Sequence, residues 1–142
     1  MRPRPFCGGV RGLLISGRLI AASRRRAVLQ RGEAVPRSVP CDIQVLTLGD
    51  IRLAGIAGEI MVEIGLQIKA RFPARLMLCG YANGVIGYIP TAAALRDGGY
   101  ETNSFLHKPY AAPYAPAVER RLVNAVVNLL AFARVPRSSW PP

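Results

Sequence analysis

The sequence predicts a mixed α/β domain over residues 38–133. Three observations carry that expectation. Two runs rich in Val, Ile and Leu stand either side of Gly49-Asp50, at the spacing of a tight hairpin. Apolar residues then recur at helical spacing, first at Ile60, Ile64 and Ile68, later at Val118, Leu122, Val126 and Leu129. Short strand-like runs lie between those two stretches, so strands and helices alternate along the chain. With 142 residues there is room for about one domain of average size, and a hydrophobic fraction of 51% is ample for its core.

The elements follow in order. Ile43 to Leu48 and Ile51 to Ile56 read as two strands joined at Gly49-Asp50. The second runs into Gly58-Glu59, and an amphipathic helix follows over "IMVEIGLQIKARF", weakened by about 1 kcal/mol at Gly65. Glu59 therefore sits at a strand-to-helix junction, where a helix N-terminus favours a carboxylate. Leu76 to Cys79 is a third strand and Ile86 to Ile89 a short fourth, closed by Pro90. Thr91 caps a brief helix over Ala92 to Leu95, ended by Asp97-Gly98-Gly99. Residues 103–116 read as loop, punctuated by Pro109, Pro113 and Pro116. The last helix starts at Pro116 and reaches about Phe132, and residues 134–142 form a tail.

Residues 1–37 are set apart by charge. They carry nine arginines against Glu33 alone, whereas the other 105 residues carry ten basic and seven acidic groups. The formal net charge of +11 thus belongs mostly to this leader. It shows no sustained period of 3.6 or 2, and its apolar runs, such as Leu13-Leu14-Ile15, are too short for a signal-peptide core. The expectation is a disordered or non-native extension. A basic arm that binds nucleic acid or an acidic membrane surface through Arg24-Arg25-Arg26 is the alternative. No specific nucleic-acid contact is expected, because Phe6 is the leader's one aromatic residue for stacking on bases. No apolar stretch approaches the roughly 18 residues of a membrane span.

Metal chemistry cannot rest on cysteine and histidine alone. Cys7, Cys41 and Cys79 lack metal-type spacing, and His107 is the one histidine in the sequence. Cys41 and Cys79 flank apolar strands and read as small core residues.

The chemistry-bearing stretch is "GYANGVIGYIPTAAALRDGGYE", residues 80–101, which holds three of the five tyrosines: Tyr81, Tyr88 and Tyr100. Together with "LGDIRLAGIAGE" it resembles the catalytic domain of the neutral/alkaline, non-lysosomal ceramidases. The resemblance spans about Val39 to Phe132 and rests on the order of three pieces, Gly58-Glu59, "GYANGVIGYIPT" and "GGYE". It implies the C-terminal part of a zinc amidohydrolase domain acting on the amide of a ceramide-like lipid. Glu59 and Tyr88 would be zinc ligands, and Tyr100 would line the pocket near the scissile amide. Tyr81 and Asn83 are expected to be structural, Asn83 by fixing the loop that aims Tyr88, and Glu63 to lie on the helix surface. The family's zinc histidines and serine lie upstream of the Glu59 region. Residues 1–37 contain no histidine, so the resemblance implies an incomplete zinc site and a chain inactive alone. His107 is not expected to be a ligand.

Overall fold

A computed structural model of the chain describes residues 10–108, 110 and 113–133. Side chains are described from Leu19 onward, apart from that of His107. The expectations for Cys7, for the His107 side chain and for the 134–142 tail lie outside the described residues.

The hairpin forms where its composition places it. β1 (Ile43–Leu48) and β2 (Ile51–Ile56) pair antiparallel in full register, from Ile43 opposite Ile56 to Leu48 opposite Ile51. Gly49, at φ 60°, supplies the left-handed residue that a two-residue turn needs. β1 alternates, with Ile43, Val45 and Thr47 half-buried and Gln44, Leu46 and Leu48 exposed. One face of the hairpin therefore packs and the other meets solvent.

β4 (Leu76–Cys79) adds to β2 in parallel, Ala54 opposite Leu78, giving a three-stranded sheet of order β1-β2-β4. Parallel neighbours need a crossover, and α2 (Val62–Arg71) provides it. The predicted helix over 60–72 is shortened at its start. Ile60 belongs instead to β3 (Glu59–Ile60), which pairs in parallel with β5 (Tyr88–Ile89), and Met61 stays extended at ψ 147°. Of the expected stripe, Ile64 and Ile68 are fully buried; Leu66, expected alongside it, faces solvent, as does Val62.

α3 (Ala92–Asp97) has the predicted cap, with the Thr91 hydroxyl accepting from the Ala94 amide at 3.0 Å. Glu119 of α4 (Val118–Phe132) adds a second tie, accepting from the Ala92 amide at 2.7 Å. α4 buries Leu122, Val123, Val126 and Leu130. The expected stripe ended on Leu129, which is 36% exposed; four-residue steps from Leu122 run through Val126 to Leu130 instead. Within 103–116, expected to be loop, a 3₁₀ helix covers Glu101–His107. Its start is fixed at Gly99, whose carbonyl accepts from the Thr102 hydroxyl and the Asn103 amide group. One core unites the layers: Ala54 and Ile56 from β2, Ile64 and Ile68 from α2, Ile89 from β5, and the buried face of α4.

The leader departs from expectation. Val10–Gln30 forms a helix, α1, rather than unstructured chain. Its composition explains this: Leu, Ala, Arg and Gln are strong helix formers even without apolar periodicity. Ala21 is buried, and Arg25 anchors the helix by donating from Nε to the Tyr110 carbonyl at 2.8 Å. The same guanidinium lies over the Phe105 ring, 5.1 Å from its centroid. Cys41 and Cys79, expected in the core, are half-buried, the Cys41 thiol lying 3.6 Å from the Ala57 carbonyl oxygen.

Candidate functional site

Two loops meet at the carboxyl ends of the parallel strands β2 and β4, where α/β sheets commonly gather functional groups. The first carries Gly58 and Glu59, the second Gly80 to Gly84. Backbone hydrogen bonds lock them together. The Tyr81 amide donates to the Gly58 carbonyl at 2.8 Å, and the Ala82 amide to that of Ile56 at 3.1 Å. On its other side, Gly58 donates to the Gly84 carbonyl at 3.0 Å and Glu59 donates to that of Gly87 at 2.9 Å. Gly58 adopts φ +92°, and a Cβ there would stand 2.8 Å from the Gly87 carbonyl oxygen. Only a residue without a side chain lets the two backbones approach this closely.

The consequence is a cluster of the Glu59 carboxylate and three phenols, with the charge of Glu101 also reaching Tyr88. Glu59 and Tyr88 are direct partners in the β3–β5 register. Tyr100 packs edge-on against Tyr88, with ring centroids 5.5 Å apart at 76°. The structure thus brings together the three residues singled out from the sequence. It adds a fourth, since the Tyr81 hydroxyl donates to the Glu59 carboxylate. Tyr81 was expected to be purely structural, yet its φ of 56° turns the side chain towards Glu59. Its signal was positional: it follows β4 as Glu59 follows β2, at the same ends of adjacent parallel strands. Asn83 also takes a left-handed conformation, φ 64°, in the loop leading to Tyr88. Glu63 lies exposed in the first turn of α2.

Electrostatically the carboxylate governs the phenols. The hydrogen bond to Glu59, then desolvation and the carboxylate's charge, push Tyr81 up from an ordinary value of 10.0 to about 12. Tyr88 is raised in the same sense, first by hydrogen bonding with Glu59, then by desolvation and charge. Both phenols are therefore neutral donors at neutral pH. The site is open, with Tyr81 54% and Tyr100 66% exposed, so these four residues alone form no walled pocket.

One expected result follows. Spectrophotometric titration at alkaline pH should find Tyr81, held by Glu59, and Tyr114, held mainly by burial, titrating late at about 12, with Tyr88 and Tyr110 also raised above the ordinary value. Glu59→Gln should bring Tyr81 back towards 10 and leave Tyr114 late. Because the folded-state value of Tyr81 is raised, its contribution to stability is complete below pH 10 and is lost as pH climbs through about 12. An unchanged titration in Glu59→Gln would refute the pairing.

No family model, curated protein or solved structure matches the chain. Among the described residues, no group of three or more His, Cys, Asp or Glu side chains is placed to hold a metal ion.

Proposed function

We propose that this chain contributes part of the active centre of a ceramidase-like zinc amidohydrolase, with a lipid amide as the substrate class. The observation that supports it most is the β3–β5 register, which sets the Glu59 carboxylate beside the Tyr88 phenol, with Tyr100 packed against them. A carboxylate next to a phenol offers two oxygen donors of the kind zinc accepts at about 2.0–2.2 Å. Tyr100 adds a phenol able to donate to an oxyanion developing on a scissile amide.

The donor set decides how far this goes. A catalytic zinc usually takes three protein ligands plus water. Glu59 and Tyr88 supply two; the Glu101 charge also reaches Tyr88, but among the described residues no group of three or more His, Cys, Asp or Glu is placed to complete the set. Tyr88 is moreover a neutral phenol whose proton is held more tightly than usual, which opposes its service as a phenolate ligand. The residues present fit half of a zinc centre.

The alternative, a basic arm acting on nucleic acid or acidic lipid, draws less support. Of the arginine triplet, Arg25 is engaged within the fold, on the Tyr110 carbonyl and the Phe105 ring. Arg24 and Arg26 remain exposed.

The test is an amide-release assay. The purified chain, supplied with zinc and a short-chain ceramide, should give no turnover above background. Measurable turnover abolished by Glu59→Ala would mean that the chain holds a complete site, and the half-site reading would fall.

A further inference from the structure

A cavity of about 650 Å³ lies away from the phenol cluster, between β1, β5 and α4. Ile89 lines it while Tyr88 belongs to the cluster. Consecutive strand residues point to opposite faces, so β5 separates the two features. The volume falls in the range of small-molecule sites, about 300–1,000 Å³.

Its walls are mostly apolar, built from Ile43, Ile86, Ile89, Val118 and Leu122. The half-buried polar groups of its lining carry no charge at neutral pH. Tyr110 and Tyr114 line one side and direct their hydroxyls to the Ile86 carbonyl at 3.2 and 3.5 Å. Burial pushes the Cys41 thiol up, which keeps it protonated. The charged residues among the lining are two exposed arginines, Arg37 and Arg121, and no carboxylate accompanies them. Neither guanidinium takes part in the ion pairs found among the described residues.

An apolar interior with cations at its exposed edge selects its occupant by chemistry. A neutral apolar molecule would leave both guanidinium groups unused. A nucleic acid would gain nothing from the aliphatic walls and would meet too few cations. We propose that this cavity binds a single-chain amphipathic anion, its chain among Ile43, Ile89 and Leu122 and its head group on Arg37 and Arg121. The planar guanidinium fork matches a carboxylate or sulfate head in a way that an ammonium does not. This site involves neither Glu59 nor any of the clustered phenols, so it stands or falls independently of the proposed hydrolase.

Calorimetric titration of the full chain with dodecanoate below its micelle concentration tests this, with dodecanol and dodecyltrimethylammonium as neutral and cationic counterparts. Dodecanoate should bind saturably, one molecule per chain, and more tightly than either counterpart. The double substitution Arg37→Glu, Arg121→Glu should weaken dodecanoate by about tenfold or more, as expected for loss of charge-assisted contacts, and leave dodecanol unchanged. Ala125→Trp, on the exposed side of the cavity lining, should remove binding of both while the circular dichroism spectrum is retained. Absence of saturable binding would overturn the proposal. So would dodecanoate affinity within about twofold of the wild type in the double variant, or equal affinity for the cationic counterpart.

Discussion

Gly58→Ala should destabilise the protein by about 2–6 kcal/mol, the sum of a strained backbone and an overpacked contact at about 1–3 kcal/mol each. Both terms have a visible source. Gly58 adopts φ +92°, where a side chain is strained whatever the space around it. The added Cβ would also meet the Gly87 carbonyl oxygen and Ile86 Cγ1, each at 2.8 Å. The first of these is backbone and cannot swing aside. Relief requires β5 to move away from Gly58, and that movement would pull Tyr88 from Glu59. The thermal midpoint should fall by on the order of 10 °C or more. The Tyr81 titration should also move towards that of an ordinary phenol as the Tyr81–Gly58 backbone bond is disturbed. A variant within about 1 kcal/mol of the wild type would show that the two backbones do not meet as described.

Ile64→Ala should cost about 2–5 kcal/mol, as large-to-small changes in a packed core do. Ile64 is fully buried, and it joins α2 to a core completed by Ile56, Ile89, Val126 and other residues of the three layers. Two positions along the same helix, Leu66 is 60% exposed, and Leu66→Ala should stay within about 0.5 kcal/mol. Urea denaturation of the two variants side by side checks the facing of α2. Equal losses would mean that the helix is rotated from the orientation described.

The contrast between Ile64 and Leu66 marks what was legible in the sequence. The hairpin limits, β4 and the Thr91 cap follow from local chemistry, namely β-branched runs, a Gly turn and a hydroxyl at a helix start. All three stand where they were read. Long-range features were not legible. β3 is two residues long and exists only through pairing with Tyr88 and Ile89, almost thirty positions away. Leu129 and Leu130 are the same residue type, so composition cannot say which one faces the core; four-residue steps from Leu122 select Leu130. α1 carries no apolar period, and its attachment rests on Arg25 meeting Tyr110 and Phe105 from far along the chain. In the site, Glu59, Tyr88 and Tyr100 were singled out through the ceramidase resemblance, and the structure places them side by side. Tyr81 was not singled out, because its contact with Glu59 depends on a left-handed backbone that a tyrosine seldom adopts.

The proposed zinc centre has Glu59 and Tyr88 as an incomplete set of ligands. Its most direct test is a zinc titration of the purified chain, followed by the tyrosine ultraviolet difference spectrum, which reports conversion of phenol to phenolate. Zinc should bind weakly, with no submicromolar site, because two oxygen ligands fall short of the usual three. At high zinc a phenolate signal should emerge, and it should vanish in Tyr88→Phe and in Glu59→Gln but persist in Tyr110→Phe. Submicromolar binding would contradict the incompleteness of the site. A signal indifferent to Tyr88 and Glu59, or no signal at all, would contradict the assignment of these two residues to a metal.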